Sequence, residues 1–219
     1  MVAVAALLAM PALAQDTPAP NAKGQVFVRL DTSAGPMTLA IETEKAPVTA
    51  KNFLRYVDSG RLDGRSFYRV VKVQDEFGFV QFGMDGDPKL SYPPIAHEPT
   101  IETGLHHTDG TISIARLEPG SARGEFTIVV GDNRPSFDAH PGKPRDNLGY
   151  AAFGRIVSGR DTLIKILDTP VDPDKAADSG VFKGEMPADP VKIVQARRVP
   201  APAEVAPDLP TAAGSGASE

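Results

Sequence analysis

The sequence predicts a mainly β fold: a closed barrel of short antiparallel strands capped by two α-helices. Three observations carry this prediction. Short apolar–polar alternations recur through the middle of the chain, bounded by Gly, Pro, Asn, Asp or Ser. Only two segments switch to a helical period. The composition, 41% hydrophobic and 23% charged over 219 residues, supplies one packed core with no cysteine to staple it.

The chain opens on an apolar run, Val2–Met10, followed by Pro11 and Ala12-Leu13-Ala14. This is the pattern of a secretory signal with a small-residue cleavage site after Ala14. It is shorter than the roughly 20 residues that a membrane-spanning helix needs. A periplasmic or secreted protein is expected, with no stable membrane insertion after residues 1–14 are removed. Residues 15–24 read as a linker, residues 25–199 as one domain, and residues 200–219 as a disordered tail poor in apolar side chains.

Within the domain, Val26–Thr32 and Met37–Glu42 alternate around Ser33-Ala34-Gly35-Pro36, a hairpin signal. From Ala46 to Gly60, Ala50, Phe53, Leu54 and Val57 recur at helical spacing, with Pro47 suited to the first turn and Gly60 to the C-terminal end. Strand patterns follow at Ser66–Val73, Phe77–Gly83, Thr111–Ala115, Phe126–Val130 and Tyr150–Ile156. A second helix is expected over Gly159–Leu167 with Leu163, Ile164 and Leu167 on one face, and a last strand over Val191–Val199.

Several function classes lose support at once. The net charge is −5 with no basic stripe, which argues against nucleic acid as a partner. No nucleophile elbow and no phosphate-cradling glycine loop occur. His97, His106 or His107 with Glu98 or Glu102 offer donor types for a metal. Adjacent strand residues point to opposite faces, however, and the polar setting reads as solvated loop histidines, so no metal site is expected. Glu125 and Asp138 are the carboxylates a glycosidase would need, but nothing in the sequence fixes their separation.

Polar residues inside apolar strands are more informative. Arg69 interrupts the run Ser66-Phe67-Tyr68-Arg69-Val70-Val71, and strand alternation puts Phe67, Arg69 and Val71 on one face. Gln81 shares a face with Phe79, and Glu125 with Thr127 and Val129, opposite Phe126 and Ile128. An arginine and a glutamine among aromatic rings describe an apolar groove with a few polar contacts.

In order along the chain, Lys45-Ala46-Pro47-Val48-Thr49-Ala50-Lys51-Asn52-Phe53, Ser66–Val71, Val80-Gln81-Phe82-Gly83 and Gly149–Ile156 resemble the cyclophilins, the peptidyl-prolyl cis-trans isomerases, and most of all their exported bacterial branch. The resemblance covers about Val26 to Val199. It implies an eight-stranded antiparallel barrel with two helical caps and an isomerase of Xaa-Pro bonds acting on proline-containing polypeptide clients during the folding of exported proteins. It implies catalytic roles for Arg69 and Gln81, and substrate-binding roles for Phe79, Ala115, Arg116, Glu125, Thr127, Phe137 and Tyr150. Its chemistry calls for no cofactor, and a monomer is the expected state. Residues Lys72–Glu76 are extra to the family pattern. Glu125 stands where glutamine is usual, Arg116 where asparagine is usual, and Thr127 where a phenylalanine usually floors the proline pocket. Losing that ring removes apolar contact worth about 1–3 kcal/mol. Slower or differently selective turnover follows, and the alternative is a proline-segment-binding module or periplasmic holdase that turns over poorly. Ser136 stands near a position that is tryptophan in many eukaryotic members and helps bind cyclosporin, so weak cyclosporin sensitivity is expected.

Overall fold

The computed structural model describes residues 24–142, 148–175 and 182–202. The expected signal, nearly all of the linker and most of the tail lie outside the described residues. The eight strands are β1 (Gln25–Thr32), β2 (Gly35–Glu42), β3 (Phe67–Gln74), β4 (Phe77–Gly83), β5 (Thr111–Ile114), β6 (Glu125–Val130), β7 (Ala151–Ser158) and β8 (Ile193–Val199). The helices are α1 (Pro47–Asp58), α2 (Thr100–Thr103), α3 (Arg134–Phe137) and α4 (Arg160–Leu167). Every expected strand is present, with boundaries shifted by two residues at most. Single-turn α2 and α3 are additions to the two expected helices.

All strand pairs are antiparallel, in the order β3-β4-β6-β5-β7-β2-β1-β8. The expected closed barrel is thereby corrected: the sheet curls but stays open, with β3 and β8 as its edges. The cause lies on the outer side of β3. Its Phe67 N–H donates to Val191 O (2.9 Å) and its Val70 N–H to Glu185 O (2.7 Å), while Ser66 bridges Lys192. A connecting segment, rather than a paired strand, covers the gap and satisfies an edge that would otherwise template further strands.

Helix α1 lays Ala50, Phe53, Leu54 and Val57 on the core, joined by fully buried Tyr56. Ala46 offers no side-chain cap, and the Glu98 carboxylate fills that place from a distant loop. It accepts from Val48 N–H (3.0 Å), Thr49 N–H (2.8 Å) and Thr49 Oγ1 (2.6 Å). In α4 the buried face runs through Leu163, Ile166 and Leu167, with Ile164 at its margin rather than on it. The interior of the curled sheet holds a cluster of rings: Phe126 lies 5.0 Å from Phe53, 5.7 Å from Phe82 and 6.1 Å from Phe153. All four are fully buried, which is the main favourable contribution to folding.

Candidate active site

The site begins with a break in the strand period. Phe67 pairs with Phe82 and Arg69 with Gln81, so Tyr68 is one residue more than β4 provides. This β-bulge swings Tyr68 onto the same side as Arg69, and both line one groove while Phe67 and Val70 enter the core. The strict alternation expected for Ser66–Val71 is corrected accordingly. The extra residues Lys72–Glu76 lengthen the β3–β4 hairpin: Gln74 pairs with Phe77 across Asp75-Glu76, with Glu76 in the left-handed region at φ 52°. Gly78 is obligatory there, because a Cβ on it would run into the Val71 carbonyl.

The register carries the site across the sheet. Arg69 opposes Gln81, Gln81 opposes Thr127, and Thr127 opposes Ser113, a polar row crossing β3, β4, β6 and β5. Arg69 Nη1 donates to Gln81 Oε1 (3.1 Å), which leaves the Gln81 amide N–H groups to face the groove. Beside this row three rings touch in sequence: Phe79 to Phe137 at 5.5 Å and Phe137 to Tyr150 at 5.2 Å. Tyr150 is held by its N–H donating to Phe137 O (2.8 Å). That approach needs Gly149, at φ 60°, where a Cβ would overlap the backbone of Phe137 and Asp138. Arg116 Nε donates to Gly149 O (3.0 Å), bracing the same turn.

All nine residues expected at the site line this groove of about 910 Å³: Arg69, Gln81, Phe79, Ala115, Arg116, Glu125, Thr127, Phe137 and Tyr150. Thr127 is 5% exposed, so the floor is a small hydroxyl-bearing side chain. In the same groove Glu125 accepts from Tyr68 Oη (2.6 Å) and Gly86 N–H (2.9 Å). Burial pushes the Glu125 carboxyl above its ordinary value, against those two bonds, and the charge of Asp85 adds to the rise. Burial and the neighbouring Glu125 likewise push the Tyr68 hydroxyl up.

The histidines correct another expectation. His107 is completely buried rather than solvated. Its Nδ1 lies 2.6 Å from Asp138 Oδ1 and its Nε2 lies 2.8 Å from Ser113 Oγ, while Asp138 Oδ2 lies 2.7 Å from His106 Nδ1. Burial works to raise the Asp138 carboxyl, but the bonds from His107 and His106 outweigh it and hold it below the usual carboxylate range. Ser113 is 1% exposed and its hydroxyl reaches Ala151 O (3.1 Å), so this Asp–His–Ser chain ties α3 to β5 and sets Phe137 over His107, with the two rings 5.5 Å apart. Asp138 does not line the groove, so it forms no carboxylate pair with Glu125 across it. Among the described residues no three His, Asp or Glu side chains converge as metal ligands.

Sequence reasoning missed Tyr68, Phe182 and Glu185, which belong to this site. Glu185 Oε2 accepts from Arg69 Nε at 2.6 Å, and the Phe182 ring centre lies 4.2 Å from the Arg69 guanidinium carbon. The motifs that carry the resemblance end at Ile156, and nothing periodic marks residues 182–185.

A family model described as cyclophilin type peptidyl-prolyl cis-trans isomerase/CLD matches residues 27–198. The peptidyl-prolyl cis-trans isomerase A of Dickeya dadantii is 38% identical over 168 residues, covering 74% of this chain and 82% of that protein. A second such isomerase, from Streptomyces antibioticus, is 36% identical over 176 residues, covering 78% and 96%. In fold, the chain is similar to a crystal structure of a cyclophilin type isomerase from Cryptosporidium parvum, with TM-score 0.59, 21% identity, and coverage of 81% and 99%.

Proposed function

The chain belongs to the cyclophilin-type peptidyl-prolyl cis-trans isomerases, and from that premise we propose that it accelerates Xaa-Pro rotation by placing Arg69 and Gln81 against a proline held on Phe79, Phe137 and Tyr150. A peptide bond resists rotation by about 18–20 kcal/mol because its nitrogen lone pair is delocalised. In the twisted state the prolyl nitrogen recovers that lone pair and becomes an acceptor. The Arg69 fork donates to it there and to neither planar state. Such selective binding of the twisted state is what lowers the barrier.

Gln81 contributes twice. Its Oε1 accepts from Arg69 Nη1, and its amide N–H groups are placed to donate to a substrate carbonyl. The three touching rings remove the proline ring from water, and the Ala115–Arg116 backbone on the groove rim aligns the peptide. Thr127 within the polar row and Glu125, two residues before it on β6, tune selectivity. The observation that carries the reading is the Arg69–Gln81 bond beside the Phe79–Phe137–Tyr150 contact in one groove. Exported clients, a periplasmic or secreted location and a monomeric state belong to the same proposal; Val2–Ala14 supports the first two.

The test is a prolyl-peptide isomerisation assay on the wild type and Arg69→Ala. Loss of one preorganised donor is expected to lower kcat by about 100-fold. Thr127, small and buried where a ring is usual, favours the second reading of a slow binder or holdase. Wild type and Arg69→Ala both at the uncatalysed rate would select that reading.

A further inference from the structure

We propose that Glu185 is a positioning residue for Arg69, so that the turn at residues 182–185 works as a clamp that preorganises the guanidinium; this rests on the assignment of Arg69 above. Arginine is a flexible side chain, and β3 is an edge strand. Left alone, Arg69 would sample solvent rotamers at an entropic cost to every productive encounter. The structure instead fixes the fork from two sides: Nε donates to Glu185 Oε2 at 2.6 Å and Nη1 donates to Gln81 Oε1 at 3.1 Å. Two bonds on different nitrogens of a planar group define its orientation. Among the described residues no acceptor occupies Nη2, which is thus the donor left for substrate. The rings of Phe182 and Phe79 lie 4.2 and 5.0 Å from the guanidinium carbon, within cation–π range.

The clamp is itself built in. The Glu185 carbonyl accepts from Val70 N–H (2.7 Å), one residue beyond Arg69, which sets the carboxylate beside the arginine. Glu185 N–H closes the turn on Phe182 O (2.9 Å), and Met186 O accepts from Asp172 N–H (2.9 Å) behind it. Phe182 adopts φ 61°, a left-handed conformation that an aromatic residue rarely takes and that persists only where surroundings impose it. As a stability device the ion pair is a weak one, since its side chains are 22% and 32% exposed. Its consequence falls on the orientation of the group proposed to touch substrate.

The experiment compares kcat and KM for wild type, Glu185→Ala, Glu185→Gln and Arg69→Ala, with the Arg69 Nε–H resonance followed by NMR. Glu185→Ala is expected to lower kcat by about 10-fold at unchanged KM and to lose the shifted Nε–H signal. Glu185→Gln, whose amide oxygen can still accept from Nε–H, is expected to restore kcat to within about twofold and to keep the signal. Wild-type kcat in Glu185→Ala overturns the clamp. So does a folded Glu185→Gln that is as slow as Glu185→Ala, because an acceptor for Nε–H would then not be enough. If Glu185→Ala fails to fold, the glutamine variant and its Nε–H signal decide alone. Wild-type activity in Arg69→Ala would instead remove the underlying assignment, whatever the Glu185 variants do.

Discussion

The two faces of strands β4 and β6 are built from alternate residues of the same segments, yet they obey opposite rules. Inward, Val80, Phe82, Phe126 and Ile128 are all fully buried among other apolar side chains. Outward, Phe79, Gln81, Glu125 and Thr127 line a groove in which Gln81 is bonded to Arg69 and Glu125 to Tyr68. The inner face is non-directional: any shape that fills the space contributes. The outer face is directional, and its value lies in where a few donors point. Substitutions on the inner face should therefore change stability first, and those on the outer face should change rate at nearly constant stability.

The largest effect expected is on the inner side. Phe126→Ala removes a ring that touches Phe53, Tyr56, Phe82 and Phe153, and should cost about 3–5 kcal/mol in urea unfolding. A cost below 1 kcal/mol would break the comparison. Next comes the acid limb of stability. Asp138 is held below its unfolded value, so its contribution is complete above about pH 4 and is lost as pH falls through the lowered native value. Asp138→Asn should lose that contribution at neutral pH and flatten the acid limb, measured as unfolding midpoint against pH.

Glu125 should behave in the opposite sense. Its carboxyl is raised, so its favourable contribution is present at low pH and disappears as pH rises through the raised native value. Glu125→Gln should raise the unfolding midpoint slightly at pH 7 and change selectivity for the residue next to proline more than the rate. An unchanged midpoint together with unchanged selectivity would count against a tuning role. The smallest effect concerns cyclosporin. Ser136 puts no ring at the groove margin beside Phe137, so inhibition should be weak, and tight inhibition in the isomerisation assay would show another contact in its place.

The legible part of the molecule was the part governed by local period. Eight strands and two main helices could be located because alternation and helical spacing are imposed by burial on one face. Arg69, Gln81 and the ring-bearing walls were legible because their motifs resemble a family. The bulge at Tyr68 was not, since one surplus residue in a strand leaves no compositional trace and depends on how β4 pairs. His107 looked like a loop residue because its partner Asp138 is 31 positions away. Glu185 is 116 positions from Arg69 and reaches it only because the segment before β8 runs along the open edge of β3. The same edge explains why the barrel expected to close stays open.

The most direct measurement of the central claim sets kcat for a prolyl peptide beside the thermal unfolding midpoint in wild type and Arg69→Ala. Arg69→Ala is expected to lose about 100-fold in kcat with a midpoint within a few degrees of wild type. An Arg69→Ala protein that isomerises the peptide at the wild-type rate would contradict it.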